Sequence, residues 1–320
     1  TKGGSASHLA PVSQEDIARR YGLFLGFLRL NGSLNPDAGA AAHVTPANVE
    51  AYTANLAGRV SSVTAWNCIY KLRRAAQLID PDKDFSWLRE IENDLAFVME
   101  PKSKFGRFVS PERSLEAGLA LIEEARNFTD ADFKRARGIR NGLMLALLTL
   151  CPGRRKNFAT LEIGKTFKQV RDRWWIIIPA SKTKSKQRPE ERPVAIWLNP
   201  YIELYLTEAR PFLLGGAEQE TQMLWISSRT RRPMTIRKVG SLITQLTRET
   251  LGIPISPHLF RTAAVTALAE AKGDMPHLAS ALLGHTHPRV TEERYNRASS
   301  INAATVYAEI IRNNYDFGRS

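Results

Sequence analysis

The segment from Pro101 to Pro111 constrains the fold most, because it is basic, carries a glycine and two prolines, and lacks apolar periodicity. Such a composition is typical of a linker between folded parts. The chain has 320 residues, about twice the size of a common domain. We therefore expect a disordered tail over 1–10, a helical domain over 11–100, a linker over 101–111 and a second domain over 112–320.

The first hundred residues have the apolar spacing of amphipathic helices. Ser13, with Asp16 three residues later, is typical of a capped helix start, and Asn31 with Gly32 would end that helix. Further helices are predicted from Thr45-Pro46, from about Ser62 to Ile79, and over a stretch that carries Trp87, Leu88, Ile91, Leu95 and Val98. Together they predict a small helical bundle with its own core.

The second part changes pattern along its length. Helices are predicted over Ser114–Ala125, over Ala131–Leu150 and from about Pro200 onward. Trp174–Ile178 and Val194–Trp197 are aromatic and β-branched runs, which favour strands. Basic loops are predicted between these strands, at Ser181–Arg188, and later at Ser227–Arg232. The predicted fold is mainly α with a small antiparallel β-sheet.

The positive charge lies in the second part of the chain. Lys and Arg number 45 against 32 Asp and Glu, a net charge of +13. Residues 1–105 carry 12 basic and 11 acidic side chains, and the remaining residues carry 33 and 21. A localised basic surface suits phosphate binding, because each neutralised phosphate releases counterions. A solvated, solubilising face explains the charge equally well, so charge alone leaves both interpretations open.

Composition restricts the class of protein further. The chain is 43% hydrophobic and 24% charged, enough to bury a sizeable core. Its longest apolar run, Leu143–Leu150, is too short for a bilayer, which needs about 20 residues. The sequence opens without a charged-then-apolar leader, so we expect neither membrane insertion nor secretion. Cys68 and Cys151 are too few for a disulfide framework or a zinc knuckle, which favours a reducing cytoplasm.

Several short motifs with chemical potential follow one another in the second part. Arg154 comes in a turn after the apolar helix, and a lysine-rich hairpin tip follows it. His258 and Arg261 stand three residues apart, on one face of a predicted helix. His285 follows Leu-Leu-Gly, and Tyr295 comes ten residues later. Each motif alone is more often an ordinary surface or helix face, but their order favours one site.

This order resembles the tyrosine recombinase (phage integrase) family over nearly the whole chain, most specifically from Ser256 to Tyr295. The resemblance implies that Arg154 is the first catalytic arginine, in a segment (CPGRRKNFATL) similar to the family's T-G-L-R-x-x-E-L-x-x-L. It implies that His258 and Arg261 form the H-x-x-R pair, that His285 is the histidine of L-G-H, and that Tyr295 is the nucleophile. Lys182 resembles the catalytic lysine of the β-hairpin, with Lys184 as the alternative.

The resemblance also implies an activity and an assembly. The N-terminal bundle would be a core-binding domain and the second part a mixed α/β catalytic domain of tyrosine recombinase type. Such an enzyme is a site-specific recombinase that cuts and rejoins double-stranded DNA through a 3′-phosphotyrosyl intermediate, with no metal, no other cofactor and no ATP. The implied assembly is a tetramer on DNA in the bacterial cytoplasm or nucleoid. The C-terminal helix, 301–314, would dock on a neighbouring subunit, and packing on its own domain is the alternative.

Basic residues outside the site are candidate DNA contacts, mostly to phosphates. They lie on the third predicted helix, around the predicted hairpin and in the later basic loop and helix: Lys71, Arg73, Arg74, Arg171, Arg173, Lys184, Lys186, Arg188, Arg229, Arg231, Arg232, Arg237 and Lys238.

Two departures from the family pattern are visible. Asn157 stands where the family usually has a carboxylate, three residues after the arginine. A neutral amide can still form hydrogen bonds, so this departure bears on how Arg154 is held. The interval from His285 to Tyr295 also looks one residue longer than the commonest spacing. A type IB topoisomerase-like relaxation of DNA and a non-catalytic DNA-binding regulator are the rival functions.

Overall fold

The computed structural model describes residues 4–100, 107–128, 132–183, 188–215, 221–271, 278, 281–282 and 293–317. Contacts divide the chain into two compact units, Thr1–Ser103 and Lys104–Ser320. Within the described ranges no helix has both the length and the apolar character needed to cross a membrane. The predicted fold class, mainly α with a small antiparallel sheet, is confirmed.

The first unit is a helical bundle. Its helices are α1 (Pro11–Leu30), α2 (Pro46–Leu56), α3 (Ser62–Ile79) and α4 (Trp87–Phe97), with a short 3₁₀ turn at Ala40–His43. Buried side chains from all four helices form one core, with Phe24, Val49, Ile69, Leu72 and Leu88 at its centre. The predicted bundle is therefore present, and each helix contributes an apolar face to it.

Local capping explains which helix boundaries were predictable in this unit. Thr45 caps α2 through a 3.3 Å bond that its hydroxyl accepts from the backbone N–H of Asn48. The predicted start of α1 at Ser13 is wrong, because the helix begins two residues earlier at Pro11. Proline at the first helical position needs no capped N–H group, so this start lacks the cap signature on which the prediction relied.

The second unit is built on two long helices that pack closely. Its helices are α5 (Pro111–Arg126), α6 (Asp132–Leu150), α7 (Arg155–Ala159), α8 (Asn199–Leu204), α9 (Arg210–Leu214), α10 (Ile236–Leu251), α11 (Pro257–Ala271) and α12 (Glu293–Phe317). A π-helical turn, Tyr205–Ala209, joins α8 to α9. Helix α5 begins three residues before the predicted Ser114, because Ser110 caps it and Pro111 occupies its first turn.

A small sheet lies between α7 and α8. Its strands, β1 (Phe167–Val170), β2 (Arg173–Ile178) and β3 (Glu190–Pro193), form one antiparallel three-stranded sheet within the described residues. The predicted strand Trp174–Ile178 is confirmed as the greater part of β2. The predicted strand Val194–Trp197 is wrong, because the partner of β2 is the charged segment before it, with Glu190 opposite Ile178.

The C-terminal helix is longer than predicted. We predicted a helix over 301–314, after Tyr295, but α12 runs from Glu293 to Phe317 and includes position 295. Its apolar face packs on its own unit, where Tyr307 and Ile311 are fully buried. The hydroxyl of Tyr307 donates a 2.9 Å bond to the carbonyl of Thr149, at the end of α6.

Glycines permit the close approach of α5 and α6. A Cβ added at Gly142 would contact the carbonyl oxygen of Gly118 and lie 2.6 Å from Cγ1 of Ile122. We expect Gly142→Ala to lower the free energy of unfolding of this unit by about 1–3 kcal/mol, because neither helix can yield without disturbing the core. Chemical denaturation measures the change.

Gly22→Ala is the matched control for Gly142→Ala. Gly22 is exposed within α1, and an added Cβ would meet no heavy atom within 4 Å. Alanine there should raise the free energy of unfolding by about 0.5–1 kcal/mol, because it restricts the unfolded chain. A gain in stability by both variants would contradict the close contact between α5 and α6.

Candidate active site

The candidate site begins at the turn that ends α6. Cys151, Pro152 and Gly153 are buried, and Arg154 follows as the residue that precedes α7. The turn therefore fixes the backbone of Arg154 while its side chain stays 27% exposed. Its Nη1 donates to Oε1 of Glu190, on β3.

Helix α11 presents the second predicted motif. It begins at Pro257, as predicted, so His258 lies in its first turn and Arg261 one turn later. His258 is exposed, whereas Arg261 is only 5% exposed. Nη1 of Arg261 donates a 2.9 Å bond to the carbonyl oxygen of Pro152. This bond joins α11 to the turn that carries Arg154, across 109 positions of sequence.

A third arginine and one carboxylate complete a charge cluster, which comprises Arg154, Glu190, Arg192 and Arg261. Glu190 bridges two of the arginines, because its Oε2 accepts a 2.8 Å bond from Nη2 of Arg192. Burial, together with the charges of Arg192 and Arg154, lowers the pKa of Arg261 to about 10, while the charge of Glu190 opposes this shift. The site thus concentrates positive charge that one buried carboxylate partly offsets.

Sequence reasoning missed Glu190 and Arg192 as parts of this site. They stand in a polar run, Glu-Glu-Arg-Pro, that follows a lysine-rich loop and looks solvent-exposed. In the structure both side chains are buried, at 7% and 3% exposure. Only the alternation of faces along β3 puts them on the same side, and the predicted strand lay four residues further on.

Lys182, the predicted catalytic lysine, pairs with a carboxylate other than Glu190. It ends a short 3₁₀ turn after β2, and its side chain is 46% exposed. Among the described residues its ion-pair partner is Glu162, with 3.2 Å between Nζ and Oε1. Lys165 pairs with the same carboxylate, and bonds from both lysines hold the pKa of Glu162 below its usual value.

Two buried side chains near Arg154 carry no charge. Asn157, in α7, is 6% exposed, and its Nδ2 has no hydrogen-bond partner among the residues that the structure describes. Burial raises the pKa of the Cys151 thiol to about 12, so this thiol stays neutral at physiological pH. Position 157 therefore lacks the carboxylate of the family pattern, and the neutral thiol of Cys151 does not supply a negative charge in its place.

Three predicted site residues, His285, Lys184 and Lys186, lie outside the described residues. Tyr295 belongs to α12, but its side chain lies outside the described part of the chain. The carbonyl oxygen of Leu282, three residues before His285, accepts bonds of 3.3 and 3.2 Å from Nε and Nη2 of Arg192. The roles of these residues stay predictions.

The predicted DNA contacts of the second unit differ in exposure. Arg173 and Arg188 are half-buried. The others that the structure describes are exposed: Arg171, Arg229, Arg231, Arg232, Arg237 and Lys238. Arg231 also donates a 3.4 Å bond to the carbonyl of Gly215. Their exposure is compatible with phosphate contact and with a solvated face alike.

The three predicted contacts on α3 are not equivalent. Arg73 and Glu92 form a bidentate pair, with bonds of 2.5 and 3.0 Å, and both side chains are largely buried. Lys71 lies 3.5 Å from Asp16, and Arg74 is half-buried. The carboxylate of Glu92 raises the pKa of Arg73, as expected for a paired guanidinium.

We expect Arg73→Ala to destabilise the first unit by about 3–5 kcal/mol, because it leaves Glu92 buried and unpaired. Thermal unfolding measures this loss. The double variant Arg73→Met with Glu92→Leu should recover most of it, since no buried charge then remains. Arg74→Ala is the comparison, expected to change stability by about 0.5 kcal/mol or less. Unchanged stability with weakened DNA binding in Arg73→Ala would instead make Arg73 a DNA contact.

Recombinases are among the solved structures that the chain matches. XerH site-specific recombinase bound to a palindromic difH substrate, in a post-cleavage complex, is 16% identical, with a TM-score of 0.49 over 85% of this chain and 70% of that chain. XerA recombinase is 16% identical, with a TM-score of 0.39 over 99% and 95% of the two chains. XerH in a pre-cleavage complex with difH is 15% identical, with a TM-score of 0.44 over 92% and 93%.

The chain matches a protein family by sequence, although no curated protein matches it significantly. The model of the phage integrase family matches residues 121–300, which include Arg154, the residues of β3, His258 and Arg261, and position 295. Because this match spans more than half of the sequence, the chain belongs to the phage integrase family.

Proposed function

We propose that the protein is a site-specific DNA recombinase that cuts and rejoins DNA through a covalent 3′-phosphotyrosyl intermediate. The observation that carries this proposal is the charge cluster, in which Arg261 bonds to the turn before Arg154 and the charges of the two arginines interact although they are far apart in sequence. Two guanidiniums close together match the two non-bridging oxygens of one phosphodiester.

In the proposed reaction Tyr295 is the nucleophile. Its phenolic oxygen attacks phosphorus, the bond from phosphorus to the 5′ oxygen breaks, and the 3′ phosphate becomes linked to the tyrosine. A phenol has a pKa near 10, so a base has to accept its proton. His258, exposed in the first turn of α11, is the proposed base. Lys182, or Lys184 as the alternative, would protonate the 5′ hydroxyl that leaves.

The arginines stabilise the charge that develops during attack. The non-bridging oxygens gain negative charge at the pentavalent transition state, and positioned positive charge stabilises it most where water is excluded. Arg261 is buried and fixed by Pro152, whereas Arg154 is partly exposed, with one arm of its fork held by Glu190. We propose that both bind the scissile phosphate, with His285 as a further donor, and that no metal or other cofactor takes part.

In this scheme Lys182 has to leave Glu162 in order to protonate the leaving oxygen, unless Lys184 takes that role. In the structure the Nζ of Lys182 is paired with Glu162, which does not belong to the charge cluster. A surface ion pair contributes only about 0–1 kcal/mol, so a DNA phosphate can displace Glu162 at little cost. We propose that bound DNA draws Lys182 toward the leaving oxygen.

The proposed partner is double-stranded DNA, bound by both units, and the proposed assembly is a tetramer that pairs two DNA sites in the bacterial cytoplasm or nucleoid. Exchange of both strands at two sites requires four cleavages, one for each subunit. The buried side chains of α12 pack within their own unit. Docking of residues 301–314 on a neighbour would therefore require this helix to leave its own core.

The test incubates the protein with a pool of nicked DNA duplexes that carry a randomised central sequence. The nick lets the short fragment diffuse away after cleavage, so religation fails and the adduct accumulates. A denaturation-resistant adduct, formed in the presence of a chelator and attached through Tyr295 by peptide mass spectrometry, is expected. Relaxation of any supercoiled plasmid would favour a topoisomerase, and binding without an adduct would favour a regulator. Either outcome would overturn the proposal.

A further inference from the structure

Glu190 occupies a central place in the charge cluster. It is the carboxylate that contacts Arg154 and Arg192 at once, through Oε1 and Oε2 respectively. Its side chain is 7% exposed, so water screens these bonds little. A buried carboxylate is costly unless its partners satisfy it, and here two guanidiniums do so.

The bridge rests on a rigid base. Arg192 is 3% exposed, and its guanidinium also donates to the carbonyl of Leu282. Strand β3 is paired with β2, and it contacts α12, the helix that includes position 295. Arg192 and the pairing of β3 with β2 therefore hold Glu190 in place.

Arg154, in contrast, needs an external support. It is the most exposed arginine of the charge cluster, and a long exposed side chain samples many rotamers. The residue three positions later, Asn157, is a neutral amide. A carboxylate within α7 itself therefore does not hold Arg154.

Resting on the proposed function, we infer that Glu190 is a positioning residue, which holds the guanidinium of Arg154 in the orientation that binds the scissile phosphate. It supplies from β3 the negative charge that position 157 lacks. Glu190 acts through Arg154 and does not contact the DNA. Its negative charge near the phosphate opposes DNA binding, so its benefit lies in orientation.

This role gives Glu190→Gln a distinctive pair of effects. Cleavage of the nicked duplex at saturating DNA should slow about 10- to 100-fold, because a misplaced catalytic group costs about 100-fold for a displacement of 1 Å. The dissociation constant for DNA should stay equal or fall, because a negative charge has been removed beside the phosphate. A variant that is merely damaged would lose both cleavage and binding.

Glu191→Gln is the matched control. It removes the same charge from the neighbouring position of β3, where the side chain lies on the opposite face of the strand. We expect its cleavage rate to stay within about 3-fold of the parent, because Glu191 is not one of the paired residues of the charge cluster. Equal slowing by both variants would overturn the inference, because net charge would then explain the effect.

A double-variant cycle with Arg154→Ala tests whether Glu190 acts through this arginine. If it does, Glu190→Gln should slow cleavage less than about 3-fold further in the Arg154→Ala background. Effects that multiply would overturn the inference. If Glu190→Gln fails to fold, Glu190→Asp keeps the charge but shortens its reach, and slower cleavage with unchanged binding is expected.

The failures of the two proposals are distinguishable. Cleavage at the parent rate by Glu190→Gln or, where that variant does not fold, by Glu190→Asp, would overturn this inference while the proposed function stands. A parent protein that forms no adduct would overturn the proposed function and this inference together.

Discussion

Replacing Tyr295 with phenylalanine is expected to abolish the covalent protein–DNA adduct and to leave DNA affinity unchanged. Phenylalanine keeps the ring but lacks the oxygen that would attack phosphorus, so no intermediate can form. The measurement uses the nicked duplex selected from the randomised pool, with the adduct read on a denaturing gel and affinity by fluorescence anisotropy. An adduct formed by this variant would show that another residue is the nucleophile.

Tyr307→Phe is the matched control for Tyr295→Phe, because both positions belong to α12. Burial raises the pKa of Tyr307 far above its usual value, and its hydroxyl is bonded to the carbonyl of Thr149. The phenol of Tyr307 is therefore unsuited to attack. Removing its hydroxyl should cost about 1–3 kcal/mol of stability, since a buried carbonyl loses its donor, while the adduct still forms.

The helices could largely be predicted because their signals are local. Thr45 caps α2 through its own side chain, and α3 ends at Ile79, just before the predicted stop at Asp80 and Pro81. A cap, a breaker and an apolar face all lie within one stretch of sequence. Such features need no knowledge of distant residues.

Strand β3 could not be predicted for the opposite reason. Glu190 and Arg192 are charged, and their burial depends on each other and on Arg154, which is 36 positions before Glu190. The apolar residues that follow, from Val194, matched strand propensity better, although Ile196–Leu198 forms a 3₁₀ turn. Pairing with β2 and burial of the ion pairs overrode local propensity here.

The candidate site shows the same division. The order of the motifs was enough to select Arg154 and Arg261, and the structure brings them into one charge cluster. Their catalytic roles stay predictions. The motifs do not include the residues that hold these arginines in place. Glu190 and Arg192 act through contacts between separate elements, which the sequence does not show locally. Residues that hold a site carry less local signal than residues that define its motif.

Loss of either arginine of the proposed pair should slow adduct formation by about 100- to 1,000-fold, the effect of removing one donor to a developing oxyanion. Arg154→Ala and Arg261→Met are the variants. Methionine suits position 261 because it retains the buried stem and removes only the guanidinium. Single-turnover cleavage at saturating DNA measures the rate, so that weaker binding does not enter the result.

Arg140→Met separates catalysis from the loss of a buried charge. Arg140 is 2% exposed, its pKa is lowered by burial to about 10 as for Arg261, and it donates to Asn141 and to the carbonyl of Ile226. Its replacement should reduce stability as Arg261→Met does, because both leave a backbone carbonyl without its donor. The folded fraction of Arg140→Met should nevertheless cleave at the parent rate. Equal loss of cleavage in both variants would mean that Arg261 supports the fold and does not bind the phosphate.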